Sequence, residues 1–190
     1  MEDREVIKAF EDNGAMLKGH FLLTSGRHSD KYLQCALVTQ HPDLCARLAK
    51  EIVSKLTEGK VDVSIGPAMG GITLAYEVGR ALGARAIFAE REEGKMTLRR
   101  GFSLNPGEKV LVCEDVVTTG GSAKEVADMA KAAGCEVVGI ACLVDRSGGK
   151  ADLGYPLYSV LKMEVLSWSA DNCPLCKEGS FPYKPGSRKG

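Results

Sequence analysis

The spacing of apolar and polar positions divides the chain into a short opening section and a repeating unit. In the opening section Val6, Ile7 and Phe10 share one face of a helix over Glu2 to Asn13, with Gly14 as its stop. Phe21-Leu22-Leu23 and Lys31-Tyr32-Leu33-Gln34 read as two short strands around the turn Thr24-Ser25-Gly26-Arg27. Pro42 opens a helix that places Leu44, Leu48, Ile52 and Leu56 on a common face. A rhythm then begins. Val61 to Ile65 is a strand, followed by the glycine-rich run Gly66-Pro67-Ala68-Met69-Gly70-Gly71 and a helix to Leu82. Ala86 to Ala89 is a strand, Glu90 to Arg100 a charged loop, and Phe102 to Leu104 a short strand. Val110 to Cys113 is an uninterrupted apolar run, as expected of a strand buried on both faces of a parallel sheet. Ser122 is placed to cap a helix from Ala123 to Ala133, stopped by Gly134, and Glu136 to Val144 is a further strand.

Strands alternating with helices predict an α/β fold with a doubly wound, mostly parallel sheet and a small N-terminal flap. The expected boundaries are a single domain over residues 1–170, with the flap at about 15–40 and the core at about 41–165. Residues 171–190 read as a turn-rich, loosely packed tail.

Composition narrows the class. The chain has 190 residues, 44% hydrophobic and 26% charged, which excludes both a disordered segment and a membrane bundle. The longest clean apolar run, Val137 to Val144, is too short to span a bilayer. Met1-Glu2-Asp3-Arg4 lacks the basic and apolar regions of a signal peptide, so the expected location is the cytoplasm. Formal net charge is zero, which argues against non-specific binding to nucleic acid or membrane. Of the seven cysteines, Cys35, Cys45, Cys113, Cys135 and Cys142 lie in apolar patterns and read as buried thiols. Cys173 and Cys176 form a Cys-x-x-Cys pair with no third or fourth Cys or His nearby in the sequence. A structural tail and a metal site shared across a dimer both fit that pair, and the first is the simpler.

Ligands of open α/β sheets bind beyond the C-terminal ends of the strands. The 66–71 loop, the 90–100 loop, the 114–122 segment and Asp145-Arg146 all follow strands, so all four fall on one sheet edge. In the third of these, Glu114 and Asp115 stand where the strand runs out, and Val116 and Val117 lead into Thr118-Thr119-Gly120-Gly121-Ser122. The hydroxyls and the free N–H groups of loop and helix start can cradle a phosphate at the positive end of the helix dipole. The two carboxylates accept hydrogen bonds and suit the paired hydroxyls of a ribose. The segment is neither a Walker A loop nor Gly-x-Gly-x-x-Gly.

A ribose-phosphate site gives the charged loop a use, although such a run is also what a solvated surface loop looks like. Arg91, Lys95, Arg99 and Arg100 are candidate partners for a departing pyrophosphate. A cation closing on those oxygens favours the transition state over the ground state. Mg²⁺ is expected to travel with the pyrophosphate, held mainly by substrate oxygens and not by a dedicated protein site. Arg146 can grip a carboxylate through two parallel hydrogen bonds, or can form a surface ion pair.

Residues 110–122 resemble the phosphoribosyl-pyrophosphate signature of type I phosphoribosyltransferases. With Ser25-Gly26-Arg27-His28-Ser29, Tyr32, Gly66-Pro67-Ala68, Arg91 to Lys95 and Asp145-Arg146, residues 1–170 resemble an orotate phosphoribosyltransferase. The resemblance implies orotate held by Tyr32, Leu33, Thr118 and Arg146. It implies the donor held by residues 114–122, Arg91 and Lys95, with Lys95 and Asp115 in catalytic roles. It also implies a homodimer with the 90–100 loop shared between subunits. Thr24, Met69, Gly70, Glu92 and Thr97 depart from the common pattern and remove several cations, which leaves more of the pyrophosphate to Lys95. A purine phosphoribosyltransferase and a non-catalytic sensor of the donor are the competing readings. Arg146 argues against the first, and the neutral composition against the second.

Overall fold

In the computed structural model, residues 1–23, 25–57 and 59–185 are described. Thr24, one of the departures from the family pattern, lies outside them. The chain runs α1 (Asp3–Asp12), β1 (Met16–Leu22), β2 (His28–Leu33), α2 (Ala36–Thr39), α3 (Pro42–Ser54), β3 (Val63–Pro67), α4 (Gly70–Leu82), β4 (Arg85–Glu92) and β5 (Lys95–Leu98). It continues through β6 (Lys109–Val117), α5 (Gly121–Ala132), β7 (Glu136–Asp145), β8 (Leu157–Lys162), β9 (Ser167–Trp168) and, after a 3₁₀ turn at Ala170–Asn172, α6 (Pro174–Lys177).

The main sheet has the order β5-β4-β3-β6-β7-β8. Five of these strands pair in parallel and β5 alone runs antiparallel, against β4. The central strands are apolar on both faces because both are covered. Leu111 and Cys113 of β6 turn to a core with Leu48 and Ile52 of α3 and Leu74 and Val78 of α4. Val110 and Val112 turn to a second core with Val126 and Ala130 of α5. The flap is a separate antiparallel sheet, β1-β2-β9.

Several expectations are corrected. The charged 90–100 segment is the β4–β5 hairpin, with Arg91 opposite Met96 and Glu92 opposite Lys95. Its turn at Glu93-Gly94 has positive φ at both residues (49° and 82°), the twist that two-residue hairpins favour. Residues 102–104 form no strand; the Phe102 ring instead meets Phe88 edge-on at 5.1 Å. β8 was not anticipated, although Tyr158, Val160 and Leu161 are buried. The tail is anchored to the flap, not loose. Cys173 is fully buried, and Tyr183 bridges to Phe21, its N–H donating to His20 O at 2.8 Å and its O accepting from Leu22 N at 2.8 Å.

Candidate active site

The edge where the parallel strands end carries two adjoining cavities, and the β6–α5 junction builds the smaller. The β6 ladder continues past the two acids, because Val116 and Val117 pair with Val144 and Asp145 of β7. Glu114 and Asp115 are therefore within the strand, not beyond its end as expected. The chain then turns sharply at Gly120, where φ is 76° and a Cβ would lie 2.1 Å from Leu153 Cδ2. That turn starts α5 at Gly121, so Ser122 sits inside the first helical turn and is not the cap predicted from the sequence. No side chain caps α5. Its first-turn N–H groups adjoin a cavity of about 200 Å³ lined by Glu114, Val116, Thr118, Thr119, Gly120, Gly121 and Ser122. Uncapped N–H groups at a positive helix end, flanked by three hydroxyls, form an anion site.

The larger cavity, about 500 Å³, lies between this loop and the flap. Tyr32, Leu23, Ser25 and Arg27 line it from the flap, Val165 and Ser167 from the chain entering and forming β9, and Arg146 from the end of β7. Thr118 and Thr119 line both cavities, so a ligand can occupy the two at once. Leu23, Val165 and Ser167 were not named as site residues from the sequence, and Arg27 entered only through the motif Ser25-Gly26-Arg27-His28-Ser29. Arg27 Nε donates to Ser167 Oγ at 2.9 Å, which locks the flap turn to β9.

Arg146 is held from behind. The buried Asp145 carboxylate accepts hydrogen bonds from Ser147 N (2.9 Å), Ser147 Oγ (2.6 Å) and Gly149 N (2.9 Å), and Arg146 N donates to Val117 O at 2.8 Å. The side chain is not satisfied in the same way. Arg146 Nε is buried without a hydrogen-bond partner among the described residues. Burial lowers the guanidinium pKa from its usual value, and no carboxylate among the described residues offsets that. A buried donor of this kind costs stability until an acceptor arrives.

The two acids are the opposite case, acceptors without a cationic partner among the described residues. Burial, and the charge of Asp115 beside it, pushes the Glu114 carboxyl up to about 8. Burial raises Asp115 as well. Asp115 Oδ1 accepts from Val116 N at 2.9 Å, and its carboxylate does not line the smaller cavity but packs against Gly70, where a Cβ would come within 2.7 Å of it. Glycines at 66 and 71 allow the same close approach: Cβ atoms there would lie 2.3 Å from Gly71 O and 2.5 Å from Cys113 O.

Four further site residues are placed elsewhere. Val117 is buried, and the Leu33 side chain points into the core, which leaves only its main chain to meet a ligand. Arg91 and Lys95 are on the hairpin and line neither cavity. Arg91 pairs with Glu125, Arg99 with Glu92 at 3.6 Å, and Arg100 with Glu90 at 2.7 Å. Lys95 is exposed and has no ion pair among the described residues.

Residues 37–175 match the phosphoribosyl transferase domain family. An orotate phosphoribosyltransferase of Heliobacterium modesticaldum is 59% identical over 190 residues, covering 99% of this chain and 100% of that protein. The chain belongs to the orotate phosphoribosyltransferase family. The fold agrees with solved members. An orotate phosphoribosyltransferase from Aeropyrum pernix superposes with a TM-score of 0.68 at 25% identity, covering 83% of this chain and 93% of that one. One from Mycobacterium tuberculosis, in complex with inorganic phosphate, gives 0.64 at 26% identity, covering 83% and 95%.

Family membership gives the departures from the common pattern a structural context. Gly70 is the position pressed against Asp115, so a long side chain there requires the carboxylate to move. Glu92 is spent on Arg99, which leaves Lys95 as the unpaired cation of the hairpin among the described residues.

Proposed function

We propose that the chain transfers the 5-phosphoribosyl group from phosphoribosyl pyrophosphate to orotate, yielding orotidine 5′-monophosphate and pyrophosphate in pyrimidine nucleotide synthesis. The observation that carries this reading is the buried, unpartnered Arg146 Nε in the cavity next to the phosphate loop. A guanidinium in that state selects an acceptor with charge, and orotate, unlike a purine, brings a carboxylate. The names of the relatives point the same way.

In this reading the 5-phosphate rests on Thr118 to Ser122 at the start of α5. The ribose hydroxyls donate to Glu114, and to Asp115 once its carboxylate turns away from Gly70, and the base lies between Tyr32, Thr118 and Arg146, with the main chain at Leu33 beside it. Bond breaking leaves positive charge on the sugar and negative charge on pyrophosphate. Lys95, without an ion pair among the described residues, and Arg91, once released from Glu125, are the hairpin cations available to meet the pyrophosphate. Their attraction grows as the leaving charge grows, so it favours turnover more than binding. Closure of the hairpin also keeps water from the donor. The two acids, which have no basic partner among the described residues, fit a donor that arrives with Mg²⁺; the ion would supply charge neutralisation of the pyrophosphate and be held mainly by substrate oxygens. Exposed Met69 at the start of α4 and Tyr76 within it, the latter beside β4, favour a homodimer in which the hairpin serves the neighbouring subunit. We place the enzyme in the cytoplasm; no helix among the described residues is long and apolar enough to cross a membrane.

Steady-state kinetics with Arg146→Ala test the reading. A charge-assisted hydrogen bond of about 1.5–3 kcal/mol corresponds to a loss of roughly 10- to 150-fold in kcat/KM for orotate, with donor affinity unchanged. Unaltered orotate kinetics would remove Arg146 from the site and the main support for orotate with it.

A further inference from the structure

The flap and the tail meet at a cluster that the transfer reaction does not use. His20 is on β1, His28 starts β2, Cys173 precedes α6 and Cys176 lies within it. One ligand atom from each comes within 4.8 Å of the other three. His20 Nε2 is 3.0 Å from His28 Nδ1 and 3.4 Å from Cys173 Sγ; Cys176 Sγ is 3.3 Å from His28 Nδ1 and 3.8 Å from His20 Nε2. Both cysteines are free thiols, and His20, His28 and Cys173 are buried.

We propose that His20, His28, Cys173 and Cys176 bind one structural zinc ion that fastens the tail to the flap. Tetrahedral zinc holds nitrogen at about 2.0–2.1 Å and sulfur at about 2.3 Å, which sets donor–donor separations of about 3.3–3.8 Å. The four atoms here already have nearly that arrangement. Their chemistry also selects the metal, since two thiolates and two imidazoles in a tetrahedron favour zinc over magnesium or calcium. A supporting contact orients one ligand. His20 Nδ1 lies 3.1 Å from Ser180 Oγ, and a proton on Nδ1 donated to that hydroxyl leaves the Nε2 lone pair facing the cluster. Hydrogen bonds among the four groups satisfy them pairwise at best, whereas a cation satisfies all four together.

The site would give a weak element its stability. The flap is a three-stranded sheet, and its β9 has only two residues. Zinc ties β1, β2 and the tail at one point. The β1–β2 turn that the two histidines flank carries Ser25 and Arg27, which line the larger cavity. The metal thereby holds one wall of that cavity without touching its ligand.

The test is metal analysis of the full chain purified under reducing conditions without chelator or affinity metal. One zinc per chain is expected. Replacement by cobalt should give the visible bands of a tetrahedral site with a thiolate-to-metal charge-transfer band. Cys173→Ser with Cys176→Ser should abolish both signals, Cys135→Ala should keep both, and stripping zinc from the wild type should lower Tm by several degrees. The proposal is overturned if the reduced wild-type chain carries no zinc and takes up no cobalt with that spectrum. It is equally overturned if zinc survives the double serine substitution, or if Cys173 and Cys176 are joined as a disulfide in the freshly purified protein. The cobalt spectrum of the wild type decides the matter even where a variant fails to fold.

Discussion

Glu114 and Asp115 set the pH behaviour of the ligand-free site. The Glu114 carboxyl has an ordinary pKa of 4.5 and is pushed up to about 8 in the folded chain. The folded state thus holds a proton that the unfolded state has already released. Stability from this group is fully present below about 4.5 and is lost as pH rises through about 8; the shift of Asp115 has the same sign. Urea unfolding should accordingly show Glu114→Gln gaining on the wild type between about pH 5 and about pH 8.5, by up to a few kcal/mol. Parallel pH profiles for the two proteins would contradict the burial of an uncompensated carboxylate. Where the ribose is concerned, an amide offers a donor where an acceptor is needed. The double variant Glu114→Gln, Asp115→Asn should lose donor binding in calorimetry with phosphoribosyl pyrophosphate and Mg²⁺, and wild-type affinity would refute the ribose assignment. The acids, the hydroxyls and Arg146 were legible because each follows an apolar run whose strand character is unambiguous. His20 and His28 were not, because they become neighbours of Cys173 and Cys176 only through antiparallel pairing and a tail that returns across about 150 residues.

At the scale of elements, the proposed donor site divides between the α5 start and the β4–β5 hairpin. Gly120 has φ of 76° and no room for a Cβ beside Leu153. Gly120→Ala should cost about 1–2 kcal/mol of stability from backbone strain, measurable by denaturant unfolding, and should weaken inorganic phosphate binding as the first helical turn shifts. An unchanged midpoint and phosphate affinity would argue against that geometry. On the hairpin, Lys95→Ala should lose most turnover yet bind the donor as before, because its charge acts chiefly as the pyrophosphate departs. Loss of donor affinity in step with turnover would assign it a binding role instead. The charge-rich composition of this segment hid its strands: alternation within Arg91 to Leu98 places few apolar residues, and the ladder is held by main-chain pairing and by acid–base pairs. β9 was illegible for a simpler reason, since two residues carry no period. β8 has the composition of a buried strand, but it follows a Gly- and Pro-containing stretch that masks its start.

At the scale of the whole molecule, the alternation of strands and helices was enough to give the layered sheet and the edge on which the parallel strands end, though the 90–100 segment there is a hairpin, not a loop. It could not give the join between tail and flap, which depends on long-range contacts. A shared site would be visible in subunit exchange. Mixing the inactive Lys95→Ala protein with the inactive Glu114→Gln, Asp115→Asn protein should restore roughly a quarter of wild-type activity, since half of randomly exchanged dimers are mixed and one of their two sites is intact. If Lys95 serves its own subunit, mixing restores nothing. The most direct measurement of the central claim uses the unaltered chain with phosphoribosyl pyrophosphate, Mg²⁺ and a panel of orotate, uracil, adenine, guanine and hypoxanthine, following each base and the pyrophosphate formed. Orotate should be consumed in step with pyrophosphate, while uracil, which lacks the carboxylate, and the purines should be left nearly untouched. Preferential consumption of a purine, or of uracil as fast as orotate, would contradict the claim.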